Sequence, residues 1–216
     1  RFKEKGYIID FEVSRELKKQ HAGSDTVLTL KNGKKIVIDE KAAIHYAKTN
    51  LKEKAMPTFA FEVSYMYNGK LKEGWLTNPK YNATQRYLLC WLWVQVGTNK
   101  SRLKYDDIVQ IEAMFFEKTD IQEYIINIVT ADTDVVKFHN VASVKRESLE
   151  KQILHGAFDS VNESIGYKEY PKWYLTGRNI LSEQPLNIIL YRDQLEDLAT
   201  SHWLVTRKEL INLDKK

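Results

Sequence analysis

The stretch SDTVLTLKNGKKIVIDEKAA, residues Ser24 to Ala43, sets two alternating runs of β-formers around the dipeptide Asn32-Gly33. That is a short-range hairpin signature. Two registers are open to it. A two-residue Asn32-Gly33 turn places Asp25 opposite Glu40 and separates Leu28 and Leu30 from Ile36 and Ile38. A three-residue loop, Lys31-Asn32-Gly33 with Gly33 left-handed, places Asp25 opposite Asp39. It also puts Leu28, Leu30, Ile36 and Ile38 on one side. A one-residue slip moves a whole strand's side chains to the other face, so burial selects the register. Only the bulged turn gives a clean apolar face, and it is the predicted one.

Directly opposed residues in an antiparallel pair have Cβ atoms roughly 4.5–5.5 Å apart, so this register sets Asp25 beside Asp39. Like charges so placed cost stability unless a cation lies between them. Two carboxylates, with the Glu40 backbone carbonyl as a third oxygen, are suitable ligands for Mg²⁺, with Mn²⁺ as an alternative. Lys41 lies two residues beyond Asp39 and so projects from the same face.

Outward from the hairpin, YIIDFEVSRELKKQ reads as an amphipathic helix over Ile8–Gln20, and AAIHYAKTNLKEKA as a second helix closed by Pro57. TFAFEVSYMY alternates as a strand, with Glu62 on its polar side. The continuous apolar run in TQRYLLCWLWVQV predicts a buried strand with Trp91 and Trp93 on one face. DIVQIEAMFFEK fits strand and helix equally. TDIQEYIINIV and SVKRESLEKQIL read as helices. The tail alternates strand PLNIILY, helix RDQLEDLA, strand HWLVT and a last helix RKELINL. The predicted class is α/β, a mixed central β-sheet flanked by helices. Residues 1–130 form the expected core and 131–216 a C-terminal α/β extension.

The order helix, hairpin, connection, strand, with Asp25 followed by Asp39-Glu40-Lys41, resembles the PD-(D/E)XK nuclease superfamily over roughly Ile8 to Met66. Ser24 stands where a proline often precedes the first acid, and a helix-like insertion separates Lys41 from the strand of Glu62. The resemblance implies a restriction-endonuclease-like αβββ core and metal-dependent phosphodiester hydrolysis, on DNA before RNA. It implies that Asp25 and Asp39 hold the metal, and that Lys41 orients water or stabilises phosphate charge. Glu12 or Glu16 on the first helix could add an acid, and Glu62 could extend the cluster if its strand neighbours that of Asp39. Dimerisation would suit the cutting of both strands.

Plainer readings stand beside these. An Asp-x-Lys at a strand end is commonly solvated surface, and Glu62 fits a structural ion pair. Trp75 and Tyr81, beside Lys72, Lys80 and Arg86, could clamp a nucleic acid strand, or the loop could be pinned to the body by its Trp. The cluster from Tyr167 to Arg178 has the same two readings. A non-catalytic nucleic-acid-binding accessory protein and a protein-interaction module are the alternatives to the nuclease.

Composition narrows the field. The chain of 216 residues can bury a sizeable core. Its +4 charge, 33 basic against 29 acidic residues, permits a polyanionic partner without announcing one. YLLCWLWVQV is half the length that a bilayer requires, so no membrane span is read. No secretory signal is read either, and the expected home is the cytoplasm. Cys90 is the sole cysteine, which excludes an internal disulfide and a cysteine zinc cluster. The five histidines show no paired metal spacing, and there is no phosphate-binding glycine loop or serine elbow.

Overall fold

The computed structural model describes residues 1–14, 16, 22–130, 135–166 and 169–214, with the backbone alone at 135 and 136. In chain order the strands are β1 (Ile8–Val13), β2 (Thr26–Leu30), β3 (Lys35–Ala42), β4 (Thr58–Tyr67), β5 (Lys70–Glu73), β6 (Arg86–Val94) and β7 (Ile108–Glu117). They continue with β8 (Ser160–Ser164), β9 (Lys172–Thr176), β10 (Leu186–Tyr191), β11 (Ser201–Thr206) and β12 (Leu210–Asn212). The described helices are α1 (Lys118–Thr130), α2 (Val135–Gly156) and α3 (Arg192–Leu198). The fold is mixed α/β. None of the described helices is long and apolar enough to cross a membrane.

Two compact units interleave along the chain. The first comprises Arg1–Pro57, Lys80–Lys118 and Leu195–Lys216; the second comprises Thr58–Pro79 and Thr119–Gln194. The first holds a seven-stranded sheet in the order β1-β2-β3-β6-β7-β11-β12. β3 and β6 run parallel, and the other neighbours run antiparallel. The second holds an antiparallel five-stranded sheet, β5-β4-β10-β9-β8.

The hairpin takes the bulged register. Thr26 opposes Ile38 and Leu28 opposes Ile36. The Gly33 N–H donates to Leu30 O, and the Leu30 N–H to Lys34 O, each at 2.9 Å, while Gly33 holds φ +80°. A side chain there would be strained, which is why glycine closes this turn. Ile36 and Ile38 are buried with Phe115 and Trp203, and Leu28 and Leu30 pack against that cluster. β6 explains its own apolar run: Tyr87, Leu89, Trp91 and Trp93 bury one face, and Leu92 and Val94 on the other face are buried as well.

Three expected helices are otherwise. Ile8–Val13 is the edge strand β1, paired with β2; of the rest of that expected helix, residues 15 and 17–20 lie outside the described residues. The Ile9/Phe11/Val13 alternation suits a strand as well as a helix, and pairing with the hairpin decides it. The connection after β3 forms only a 3₁₀ turn, Ile44–Tyr46. Its backbone is drawn onto β6 instead: Lys48 N–H donates to Leu92 O at 2.9 Å, and Val94 N–H to Lys48 O at 2.8 Å. RKELINL turns back as β12 along β11 rather than coiling. DIVQIEAMFFEK is a strand, β7, because both β6 and β11 need its hydrogen bonds. β8 and β9 were not anticipated.

Candidate active site

Pairing along the sheet places the acids. Val37, Asp39 and Lys41 point to the face opposite Ile36 and Ile38, and Asp39 registers against Tyr87 on β6. Tyr87 in turn opposes Phe116 on β7. Asp25 extends β2 by one ladder bond, its N–H donating to Ile38 O at 3.0 Å. Its carboxylate reaches across to accept from the Glu40 N–H at 2.9 Å through Oδ2. Asp25, Asp39 and Lys41 therefore come together as the register required.

The electrostatics of the group are unusual for surface residues. Asp39 is 1% exposed. Burial pushes its carboxyl up to about 6, against the charge and hydrogen bond of Lys41, which pull it down; Asp25 pushes it further up. Lys41 Nζ donates to Asp39 Oδ1. Asp39 Oδ2 is buried with no donor among the described residues. The Asp25 and Asp39 carboxyls meet, but a hydrogen bond between them requires a proton; with both ionised, that oxygen has nothing to accept. A buried, unanswered carboxylate oxygen beside a second carboxylate is the donor set that a divalent cation fits. Mg²⁺ commonly takes one or two carboxylates and keeps waters for the rest.

The loop from Tyr81 to Gln85 braces this group. Gln85 holds Val37 from both sides, accepting its N–H on Oε1 at 2.9 Å and donating its own N–H to Val37 O at 3.0 Å. The buried Thr84 hydroxyl donates to Gly23 O at 2.7 Å. Gly23 sits at φ +75°, and a Cβ there would lie 2.1 Å from Thr84 Oγ1 and 3.1 Å from the Tyr81 ring. The close approach just ahead of Asp25 thus depends on glycine. Gly23→Ala should cost about 1–2 kcal/mol of stability, read as a lowered urea midpoint at unchanged m-value.

Two further side chains belong to the group, and sequence reading missed both. Tyr87 is buried beside Asp39, and burial followed by the Asp39 charge pushes its phenol well above its ordinary range. Lys118 N–H donates to Gln85 O at 3.0 Å, which continues the β6–β7 register and puts its side chain on the Asp39 face. Its Nζ donates to Tyr81 O at 2.5 Å. The signal for Lys118 was its place at the end of DIVQIEAMFFEK, usable only once that segment is read as a strand beside β6.

Other expected members lie elsewhere. Glu62 is on β4, whose neighbours are β5 and β10, so its strand does not adjoin that of Asp39. Glu12 is on the edge strand β1, opposite Val27, rather than on a helix. No set of three His, Cys, Asp or Glu side chains among the described residues converges to hold a metal, which leaves Glu12 and Glu62 outside the Asp25–Asp39 pair. The Glu40 side chain faces away and accepts from Thr26 Oγ1 at 2.5 Å, so only its backbone carbonyl is a candidate. Arg86 also points to the opposite face and pairs with Glu117. Lys72 and Lys80 are exposed. Trp75 is in the second unit with its ring 5.6 Å from that of Phe61, the pinned reading of its loop. Of the later aromatic cluster, Trp173 is buried against Phe138, and Tyr167 and Lys168 lie outside the described residues. Burial, then the charge of Glu40, pushes the Cys90 thiol up to about 12, so it serves as a small apolar residue. Compared with protein-family models, with curated proteins and with solved structures, the chain matches none of them.

Proposed function

We propose that the protein is a metal-dependent nuclease that hydrolyses phosphodiester bonds, acting on DNA before RNA, through the Asp25, Asp39 and Lys41 group at β2 and β3. The observation that carries this reading is the buried Asp39 Oδ2, unanswered and set beside Asp25, with Lys41 fixed on the other oxygen of the same carboxylate. A structural ion pair would need only Asp39 and Lys41; the second carboxylate adds repulsion at Asp39 that a shared cation would relieve.

Bound there, Mg²⁺ or Mn²⁺ supplies Lewis-acid polarisation of a phosphate and a bound water of lowered pKa. The chain's own residues do the rest. Asp25 is oriented by the Glu40 N–H, which holds its carboxylate against that of Asp39. Asp39 fixes the Lys41 ammonium, which would orient the attacking water or meet a phosphate oxygen. Charge that builds on the phosphate is then met by a preorganised cation, which is worth more in this half-buried setting than in water.

The test is direct: purified protein is incubated with supercoiled and linear DNA in Mg²⁺, Mn²⁺ or EDTA. Cutting is expected with either metal, none with EDTA, and a loss of about 10²–10³ in rate for Lys41→Met. Intact DNA under every metal, with retained binding, would instead identify a non-catalytic accessory binder.

A further inference from the structure

Lys41 is answered by Asp39. Lys118, beside the same group, is half-buried without such a partner. Among the described residues no carboxylate comes within ion-pair distance of its ammonium, and its acceptor is a neutral carbonyl, Tyr81 O, at 2.5 Å. The side chain is half-buried, and the loss of hydration lowers its pKa, with only the more distant Asp39 charge acting the other way. It is also the first residue of α1, the end of a helix where the aligned peptide dipoles disfavour a cation.

What the position offers is aim. The Tyr81 carbonyl takes one of three N–H donors, and two remain. The Gln85–Lys118 backbone bond places the side chain on the face that carries Asp25, Asp39 and Lys41.

We propose that Lys118 is a second phosphate-binding lysine of the site, contacting a non-bridging oxygen of the nucleic acid backbone beside the Asp25–Asp39 pair. This rests on the nuclease reading above. The phosphate supplies the counter-charge that the fold withholds, and its oxygens accept both free N–H groups. Lys118 thereby adds affinity without sequence preference, as phosphate contacts do.

Binding of labelled DNA duplexes of unrelated sequence, followed by fluorescence anisotropy in EDTA across a salt series, separates this role from a structural one. Lys118→Met should make the slope of log K against log salt shallower by about one for every sequence, and Lys118→Arg should restore it. With Mg²⁺, kcat/KM of Lys118→Met should fall about ten- to a hundredfold. Circular dichroism confirms that both variants fold. Wild-type binding and cutting with an unchanged slope in Lys118→Met would overturn this inference and leave the nuclease reading intact. Failure of the wild type to bind any nucleic acid would overturn both. A slope change in a protein that binds but never cuts would support the phosphate contact and remove the catalytic reading.

Discussion

An Asp39→Asn chain, given Mg²⁺ and duplex DNA, should cut at least about a thousandfold more slowly than the wild type, a barrier increase of about 4 kcal/mol. The substitution is nearly isosteric. It leaves β3 in register and keeps one oxygen for Lys41, but removes the negative charge from a carboxylate that touches both Asp25 and Lys41. The metal would lose a ligand and Lys41 its fixed counter-ion together, which is why the expected loss exceeds that for Lys41→Met. Single-turnover cleavage of a labelled duplex measures it, and a residual rate within tenfold of the wild type would refute the assignment of Asp39.

The same variant should behave in the opposite sense for stability. Asp39 has its folded-state value raised from about 3.8 to about 6, so the folded protein holds a proton that the unfolded chain releases. For an acid shifted upward, the group's contribution to stability is fully present below about pH 4, falls as pH rises between about 4 and 6, and is gone above that. The displacement corresponds to about 3 kcal/mol. In EDTA at pH 7.5, Asp39→Asn should therefore be more stable than the wild type by about that amount, with the difference closing by pH 4. Urea titrations at a series of pH values give the comparison directly. Added Mg²⁺ should stabilise the wild type and leave Asp39→Asn unmoved, since a ligand binding only the folded state shifts the equilibrium by mass action. Activity and stability are thus expected to pull against each other at one side chain.

How far the residues themselves disclose this arrangement depends on how local each interaction is. The β2–β3 register was readable because turn chemistry and binary pattern agree: Gly33 permits the left-handed position, and only one pairing gathers Leu28, Leu30, Ile36 and Ile38. That register alone brought Asp25 to Asp39. β4, β6, β10 and β11 were readable from apolar alternation or continuity. β1 was not, because Ile8 to Val13 satisfies a period of two and a period near 3.6 over so few residues, and the partner strand makes the choice. The segment after β3 carries helix-forming Ala and Lys, yet its backbone is taken up by β6 through Lys48. β12 is short, and its pairing with β11 outweighs the helical propensity of its Leu, Glu and Lys. Tyr87 and Lys118 joined the site through β3–β6 and β6–β7 pairings, and the first of these spans more than forty residues of intervening chain. Periodicity carries no information about such partners.

The interleaving of the two units bears on how the chain is made. β4 emerges early, carrying Phe59, Phe61 and Val63, but its neighbour β10 runs from Leu186 to Tyr191. During synthesis β5 can cover one edge of β4, while the edge that β10 covers stays open until Leu186–Tyr191 has been made. An uncovered hydrophobic strand edge is a template for pairing with another nascent chain. Products released before Tyr191 should collect in the insoluble fraction and engage chaperones, whereas chains that include β10 should not.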